Sequence, residues 1–313
     1  MTPSETPSVT ILVPTYRLGG IECLAQSVRR QVYPHDRLRV ILVDALAARR
    51  ETAVREFWNG HAGDVALWHL EVPGFDWAQS YARAFNEGLG ASPDDVIVVW
   101  PDYAVAPAYC VADHVQLLQR GGMRCASLGI VQYAWTPLEA MAFGFARLET
   151  LDAYRSFVEA RPADSPLWTS LFLDDPAELH RANLLLIGPP AGADPRRGRI
   201  NGPTSFIDVL LKNEAYPRAA LVAAGGADEA FDARPDYVDS DLGLRVEKQG
   251  YVLVLDKGNE IVVPTPHALL PTLRWSGTAE DAHARFHRRW EAACRSEPIA
   301  TERGLGSRSA AAP

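Results

Sequence analysis

Short apolar runs alternate with amphipathic stretches through the first hundred residues. Val9-Thr-Ile-Leu-Val13 is β-branched and continuous and stops at Pro14, the pattern of a buried strand. Gly19-Gly20 opens a turn, and Ile21, Leu24, Val28 and Val32 then recur at helical spacing until Pro34. Val40-Ile-Leu-Val43 predicts a second strand, with Asp44 at its carboxyl end. A helix over 51–58, a strand over 65–70, a helical stripe of Ala78, Tyr81, Ala82, Phe85 and Leu89, and a strand at Val96-Ile-Val-Val99 complete the series. Strands alternating with helices of this length imply βαβ units and a mainly parallel sheet. Such sheets bind ligands outside the carboxyl ends of their strands. Asp44 and Asp102 fall at two of those ends.

The pattern is weaker from 104 to 224. It predicts a strand at Leu128-Gly-Ile-Val131, a helix at 148–160, and a long Gly-, Pro- and Arg-rich loop at 188–204. Regularity returns with a helix from Asp241 to Gln249 and strands at Tyr251–Leu255 and Ile261–Val263. A final helix aligns Ala282, Phe286, Trp290 and Ala293. Residues 1–8 read as a loose lead-in and 300–313 as a disordered tail. Residues 9–299 read as one domain, with a nucleotide-binding half at 9–107 and an acceptor half at 108–299.

Composition narrows the function. The 313 residues are 47% apolar and 22% charged, which suffices for a sizeable core. A formal net charge of −8 disfavours a nucleic-acid or anionic-membrane surface. Arg196, Arg197 and Arg199 are the densest basic cluster and read as a solvated loop. The four cysteines, Cys23, Cys110, Cys125 and Cys294, are widely spaced and suggest neither a disulfide framework nor a zinc knuckle, which fits a reducing cytoplasm. The chain shows no secretory leader pattern and no apolar run of membrane-spanning length.

Several blocks together resemble family 2 glycosyltransferases of the GT-A fold. VTILVPTY at 9–16, followed by Gly19-Gly20 and a helix, is similar to that family's opening. Val40-Ile-Leu-Val-Asp44 stands where the family has an apolar strand ending in acids, and Asn86-Glu-Gly88 matches its Asn-x-Gly step. AALVAAGGADEAF at 219–231 is close to its Gly-Gly-Phe-Asp-Glu-x-Phe segment. Val238-Asp-Ser-Asp-Leu-Gly-Leu-Arg245 matches Glu-Asp-x-Asp-Leu-x-x-Arg. The blocks keep the family's order across residues 9–267, and the pair within 225–245 is the most specific.

The chemistry can be stated apart from the resemblance. A nucleotide sugar loses a diphosphate, so negative charge builds on the leaving group and needs a metal or fixed cations. The acceptor hydroxyl is a poor nucleophile, and a carboxylate must take its proton. The resemblance assigns that base to Asp239, in the second position of the Glu-Asp-like pair, where Val238 replaces the first acid. Helix capping is the competing role for Asp239, and a supporting or capping part for Asp241. It assigns the donor nucleotide to Pro14, Thr15, Tyr16, Asp44, Asn86, Pro101 and Asp102. A carboxylate at Asp44 would accept a pyrimidine N–H, which favours a UDP- or dTDP-sugar. It places Gly226, Asp228 and Glu229 on the acceptor side, with Gly225 and Gly226 suited to positive φ or close approach.

A divalent metal, Mg²⁺ or Mn²⁺, is implied at Asp102 with His267. Here the first Asp of the family's Asp-x-Asp is replaced by Trp100, and Arg196, Arg197, Arg199 and Arg245 are alternative neutralising groups. Arg245 has a second role as partner to nearby acids. The Asp-Asp-Gly-Ser run becomes Asp44-Ala-Leu-Ala, and Arg17 replaces an Asn. Trp77, Trp100, Trp135 and Trp168 are packing residues or sugar-stacking platforms, and Asp174-Asp175 reads as a helix start.

The expectation is an inverting hexosyltransferase acting on a sugar, lipid-linked, peptide or small-molecule acceptor, with a homodimer compatible and nucleic acid disfavoured. The alternative is a non-catalytic nucleotide-sugar or glycan-binding protein on the same fold. A sugar-phosphate nucleotidyltransferase would need a longer Gly- and Arg-bearing loop after the first strand. A dinucleotide-binding dehydrogenase would need Gly-x-Gly-x-x-Gly there.

Overall fold

The computed structural model describes residues 6–15, 21–72, 77–102, 104, 106–134, 202–204, 206, 209–232, 237–264 and 279–294. The helix expected at 148–160, Arg17, Trp135, Trp168, Asp174-Asp175 and the Arg196–Arg199 cluster lie outside them. So do Tyr16 and His267.

In chain order the elements are β1 (Val9–Thr15), α1 (Ile21–Arg29), β2 (Leu38–Asp44), α2 (Ala47–His61), β3 (Ala66–Glu71), α3 (Trp77–Ala91), β4 (Val96–Val99), α4 (Cys110–Arg120) and β5 (Cys125–Ala134). They continue with β6 (Gly202–Pro203), β7 (Glu214–Pro217), α5 (Arg218–Ala223), α6 (Val238–Lys248), β8 (Val252–Pro264) and α7 (Ala279–Cys294). The strands form one sheet in the order β3-β2-β1-β4-β7-β5-β8-β6. β3, β2, β1 and β4 run parallel, β7 is antiparallel to both its neighbours, and β6 is antiparallel to β8. This is the α/β architecture of the GT-A fold, with a mainly parallel sheet flanked by helices.

Strand alternation sorts the core into two layers. Ile11, Val13, Val40, Leu42, Val96 and Val98 meet α1, α2 and α4 through Leu24, Val28, Val54, Trp58, Val111 and Val115. Leu12, Ile41, Val43, Ile97 and Val99 face the other way, onto Phe85 and Leu89 of α3 and Leu242 of α6. Gly88 lets α3 lie close to the sheet, for a Cβ there would stand 2.1 Å from Leu12 Cδ1 and 2.9 Å from Val43 Cγ2. The glycine of the Asn-x-Gly step is thus a packing requirement.

Four expectations are corrected. Val32 lies beyond the end of α1 and is 52% exposed, because the helix ends at Arg29. Within the 188–204 loop, Gly202–Pro203 forms β6 against Leu255 and Val254. The two strands expected at 251–263 are one, β8, with a register shift: Gly129 pairs with Asp256 and Ile130 with Glu260. The extra residues include Asn259, whose amide donates to Cys110 O at 2.8 Å, so the irregularity is anchored by a buried side chain. On α7, Trp290 is 40% exposed, and Arg289, 9% exposed, turns inward.

Candidate active site

The sheet's topology fixes where a ligand belongs. From β1 the chain steps outward to β2 and β3, then returns through α3 to β4 on the other side of β1. The loops leaving β1 and β4 therefore diverge at a switch point, where open α/β sheets bind ligands. Thr15 ends β1, and Asp102 follows β4. The Thr15 hydroxyl donates to Asp102 Oδ2 at 2.6 Å, and both residues are buried. Pro14 precedes Thr15 in β1, and Pro101 precedes Asp102 at the rim.

Alternation also puts Thr15, Asp44 and His69 on the α2 face, since Asp44 continues the row of Val40 and Leu42, and His69 pairs with Leu42. Arg50, from the first turns of α2, closes the group. Its Nε donates to Asp44 Oδ2 at 2.7 Å and its Nη2 to Asp44 Oδ1 at 2.9 Å. Nη2 also reaches Thr15 Oγ1 at 3.3 Å. His69 Nε2 is 2.8 Å from Asp44 Oδ2, and the Leu46 amide donates to Oδ1 at 2.8 Å. The side chains of Asp44, Arg50 and His69 are all 0% exposed. Burial alone would raise the Asp44 carboxyl. Hydrogen bonds from His69 and Arg50, together with the Arg50 charge, outweigh it and hold the group below its ordinary value. Neither Arg50 nor His69 was singled out in the sequence. A charged residue in the first turns of a helix following an acid-ended strand was the available signal.

A second group occupies the opposite face. Asp239 sits in the first turn of α6 and is half-buried, its Oδ1 accepting from the Ser240 amide at 2.8 Å. The residue preceding α6 is Tyr237, not Asp239, and its φ is 71°, an uncommon conformation for a bulky side chain. The Tyr237 ring stacks on Phe286 of α7 at 5.2 Å, which holds the turn in place. Near Asp239 lies Glu214, the first residue of β7 and the partner of Val99 at the end of β4. Glu214 is 1% exposed, with Oε1 accepting from the Leu210 amide at 2.6 Å and Oε2 without a partner. Burial pushes its carboxyl up to about 8, and the Asp239 charge adds to the shift. Burial likewise raises the Tyr81 and Tyr216 hydroxyls, with the charges of Glu214 and Asp239 contributing. The sequence reading missed Glu214, since a lone Glu at a strand start carries no motif.

The Gly-Gly segment is clamped to α3. Asn86 Nδ2 donates to Ala227 O at 2.8 Å and to Glu229 Oε1 at 3.1 Å, while the Ala227 amide donates back to Asn86 Oδ1 at 2.8 Å. Asn86 thus spends its amide on the 226–229 segment. Asp232 accepts from the Ala82 and Arg83 amides at 2.6 and 3.1 Å, just after the kink at Ser80. Burial pushes the Asp232 carboxyl up to about 7, against the pull of those amides. Gly225 and Gly226 have φ of 81° and 71°, as their spacing suggested.

Asp228 and Asp241 are both fully buried and share Arg289, whose Nη2 meets Asp228 Oδ2 and whose Nη1 donates to Asp241 Oδ1 at 2.8 Å. Arg245 Nε donates to Asp241 Oδ2 at 2.9 Å, and its Nη1 bonds to Ala224 O and to Gly226 O. Arg245 is therefore a partner to the buried Asp241 and not an exposed cation. Arg289 was not anticipated, because its helix stripe reads as apolar at 282, 286, 290 and 293.

The structure thus joins Thr15, Asp44 and Asp102 in one network at the carboxyl ends of β1, β2 and β4, while the Asp239 charge acts on Glu214, the partner of Val99 at the end of β4. An open groove of about 1120 Å³, lined by Val32, Tyr109, Leu117, Val252 and Val254, lies by the amino ends of β5 and β8. Its walls carry none of the candidate groups, so this concavity is not the site. Among the described residues no three His, Cys, Asp or Glu side chains could hold a metal ion together. Asp102 offers one carboxylate with an oxygen committed to Thr15. The described residues do not form a metal centre. No described helix is long and apolar enough to cross a membrane.

Comparisons agree with the topology. No protein-family model matches the chain, and no curated protein matches it. Among solved structures, the mannosyltransferase PcManGT from Pyrobaculum calidifontis, in complex with GDP-Man and Mn²⁺, superposes with a TM-score of 0.53 at 18% identity, over 95% of this chain and 67% of that one. S. aureus TarS 1-349 in complex with UDP-GlcNAc gives 0.54 at 10% identity, over 90% of this chain and 64% of that one. The present chain spans about two thirds of each. At these identities the likeness is one of fold: the chain has the GT-A-type fold found in nucleotide-sugar glycosyltransferases.

Proposed function

We propose that this protein is an inverting glycosyltransferase of the family 2 type that uses a nucleotide-diphosphate sugar, with a UDP- or dTDP-sugar favoured. The observation carrying this reading is the buried Thr15–Asp102 hydrogen bond at the switch point, and the Asp239 charge felt by Glu214, which pairs with the end of the same strand, β4, supports it. The fold shared with proteins bound to GDP-Man and UDP-GlcNAc supports it.

In the proposed reaction Asp239 takes the proton of the acceptor hydroxyl. The oxygen attacks the anomeric carbon as the bond to the diphosphate breaks, and the electron pair leaves with the diphosphate. One displacement inverts the configuration. Glu214 suits this arrangement, because burial pushes its carboxyl up to about 8 and keeps it protonated at neutral pH, so it sets no second negative charge beside the Asp239 carboxyl. Gly226, Asp228 and Glu229 form the clamped segment on the acceptor side. The PcManGT complex contains Mn²⁺, but the described residues here do not fit a metal centre and no step is routed through one.

The test is transfer or donor hydrolysis by wild type and Asp239→Asn. Activity should fall by about 10²–10⁴-fold, the range for loss of a general base, with nucleotide affinity and melting temperature little changed. A variant retaining full turnover would remove Asp239 from the mechanism. A second reading, a nucleotide-sugar-binding protein without turnover, is favoured by Trp100 in place of the first metal acid and by the fully engaged Asp44 carboxylate. Binding by calorimetry without turnover across a broad acceptor panel would select it.

A further inference from the structure

Asp44 cannot read a base in the way its position implies. An ionised carboxylate offers about four acceptor positions. Leu46 N and Arg50 Nη2 fill two at Oδ1, while Arg50 Nε and His69 Nε2 fill two at Oδ2. No position remains for an incoming N–H. Two buried atoms of the same group nevertheless lack any partner: Arg50 Nη1 and His69 Nδ1. Both belong to side chains that are 0% exposed. Unmatched buried polar atoms are uncommon and costly, and two of them beside a candidate ligand site call for an occupant.

Their chemistry says what kind. The Asp44 carboxylate against Nε2 favours the tautomer with its proton there, and in that tautomer Nδ1 is an acceptor. Arg50 grips Asp44 through Nε and Nη2, which leaves Nη1 as an N–H donor on the far edge of the guanidinium. The unmet pair is one acceptor and one donor. For a base whose orientation is fixed by its ribose, with the ring nitrogen toward His69 and the exocyclic group toward Arg50, the pair complements an N–H beside a carbonyl, as in uracil, thymine or guanine. In that same orientation cytosine and adenine present the reverse order, with an unprotonated ring nitrogen beside an amino group.

We infer that His69 Nδ1 and Arg50 Nη1 read the nucleobase of the donor, and that Asp44 acts as a positioning residue which orients them. This rests on the nucleotide-sugar reading above and deepens it. The base is selected through an imidazole relay where the carboxylate itself was expected to do so.

The test is calorimetry of the full chain with UDP, dTDP, GDP, CDP and ADP, for wild type and His69→Gln. Glutamine keeps a donor near the Nε2 position toward Asp44 but offers nothing at Nδ1. Wild type should bind UDP, dTDP or GDP more tightly than CDP and ADP. His69→Gln should cut affinity for the preferred nucleotide about tenfold, the effect of one lost hydrogen bond to a buried acceptor. CDP affinity should change by less than about twofold, so the discrimination collapses. A crystal structure of wild type with its preferred nucleotide is independent of how the variant folds. It should place the base N–H about 3 Å from His69 Nδ1.

A wild-type preference for CDP or ADP, an unchanged preference in a folded His69→Gln, or a base N–H bonded to Asp44 would overturn the inference; each leaves the glycosyltransferase reading standing, the first without its preference for a UDP- or dTDP-sugar. If none of the five nucleotides binds, both fall.

Discussion

Replacing Arg50 with methionine probes the most deeply buried charge pair in the candidate site. Methionine keeps an unbranched apolar stem but removes two hydrogen bonds to Asp44 and one to Thr15. The side chains of both partners are 0% exposed, so water cannot replace what is lost. Breaking a buried pair by removing one partner costs about 3–5 kcal/mol, because the remaining charge stays buried and uncompensated. His69 and Leu46 still contact Asp44, which places the expectation near the lower end.

The sign of the pH dependence follows. In wild type the folded Asp44 carboxyl lies below its ordinary value of 3.8. Its contribution is therefore present above that value and is lost as pH falls through the folded one. In the variant, burial remains while most of the compensation is gone, so the same carboxyl should move above its ordinary value. The deficit of Arg50→Met should shrink as pH is lowered from 7 toward 4. Urea denaturation at several pH values measures it, with slopes compared to check that the unfolding transition is unchanged. The double variant Asp44→Asn/Arg50→Met should be more stable at pH 7 than Arg50→Met alone. A cost below about 1 kcal/mol at pH 7, where breaking a buried pair predicts several, or a deficit independent of pH, would refute the reasoning.

Asn86→Ala removes both bonds to the backbone of Ala227, which is 0% exposed, and should destabilise by about 2–3 kcal/mol in urea titration. An effect below about 0.5 kcal/mol would mean the segment finds other partners. Glu214→Gln addresses a carboxyl raised from 4.5 to about 8. The folded state takes up a proton between those values, so wild-type stability is fullest below pH 4.5 and falls as pH rises toward 8. Glutamine should flatten that decline and gain stability relative to wild type at pH 8–9, as read by melting temperature. A wild-type profile level from pH 5 to 8 would remove the buried-acid assignment.

The strand-and-helix series was legible because each buried strand of the parallel half is apolar on both faces, and Val9–Val13, Val40–Val43 and Val96–Val99 announce themselves. The partners of the polar residues were not legible. Asp44 stood out as an acid at a strand end, but its saturation depends on Arg50 and His69, which approach from a helix and from the next strand. Asp239 was placed correctly at the start of a helix. The field around it comes from Glu214 on an antiparallel strand whose pairing with β4 no local pattern encodes. Asn86 was read as a ligand contact because its motif stands near the site, yet its neighbours are Ala227 and Glu229, 141 and 143 residues away. Periodicity reports which face is buried. It does not report which polar group across the fold meets a given side chain.

This division has a physical basis in the sheet itself. Thr15, Asp44 and His69 project to the α2 face, whereas Glu214 and Tyr216 project to the face covered by α3 and α6. β4 is shared by both halves. Val99 pairs with Leu12 of β1 on one side and with Glu214 of β7 on the other, and the Trp100 amide continues the ladder onto Leu12. Asp102 then leaves the strand to meet Thr15. A donor held at the end of β1 and β4 would lie between the buried anion network on one face and the Asp239–Glu214 pair on the other. The proposed chemistry requires that placement, with the leaving diphosphate and the attacking hydroxyl on opposite sides of the anomeric carbon. The antiparallel insertion of β7 beside β4 brings Glu214 to the carboxyl edge, because a parallel strand in that place would begin at the opposite end of the sheet.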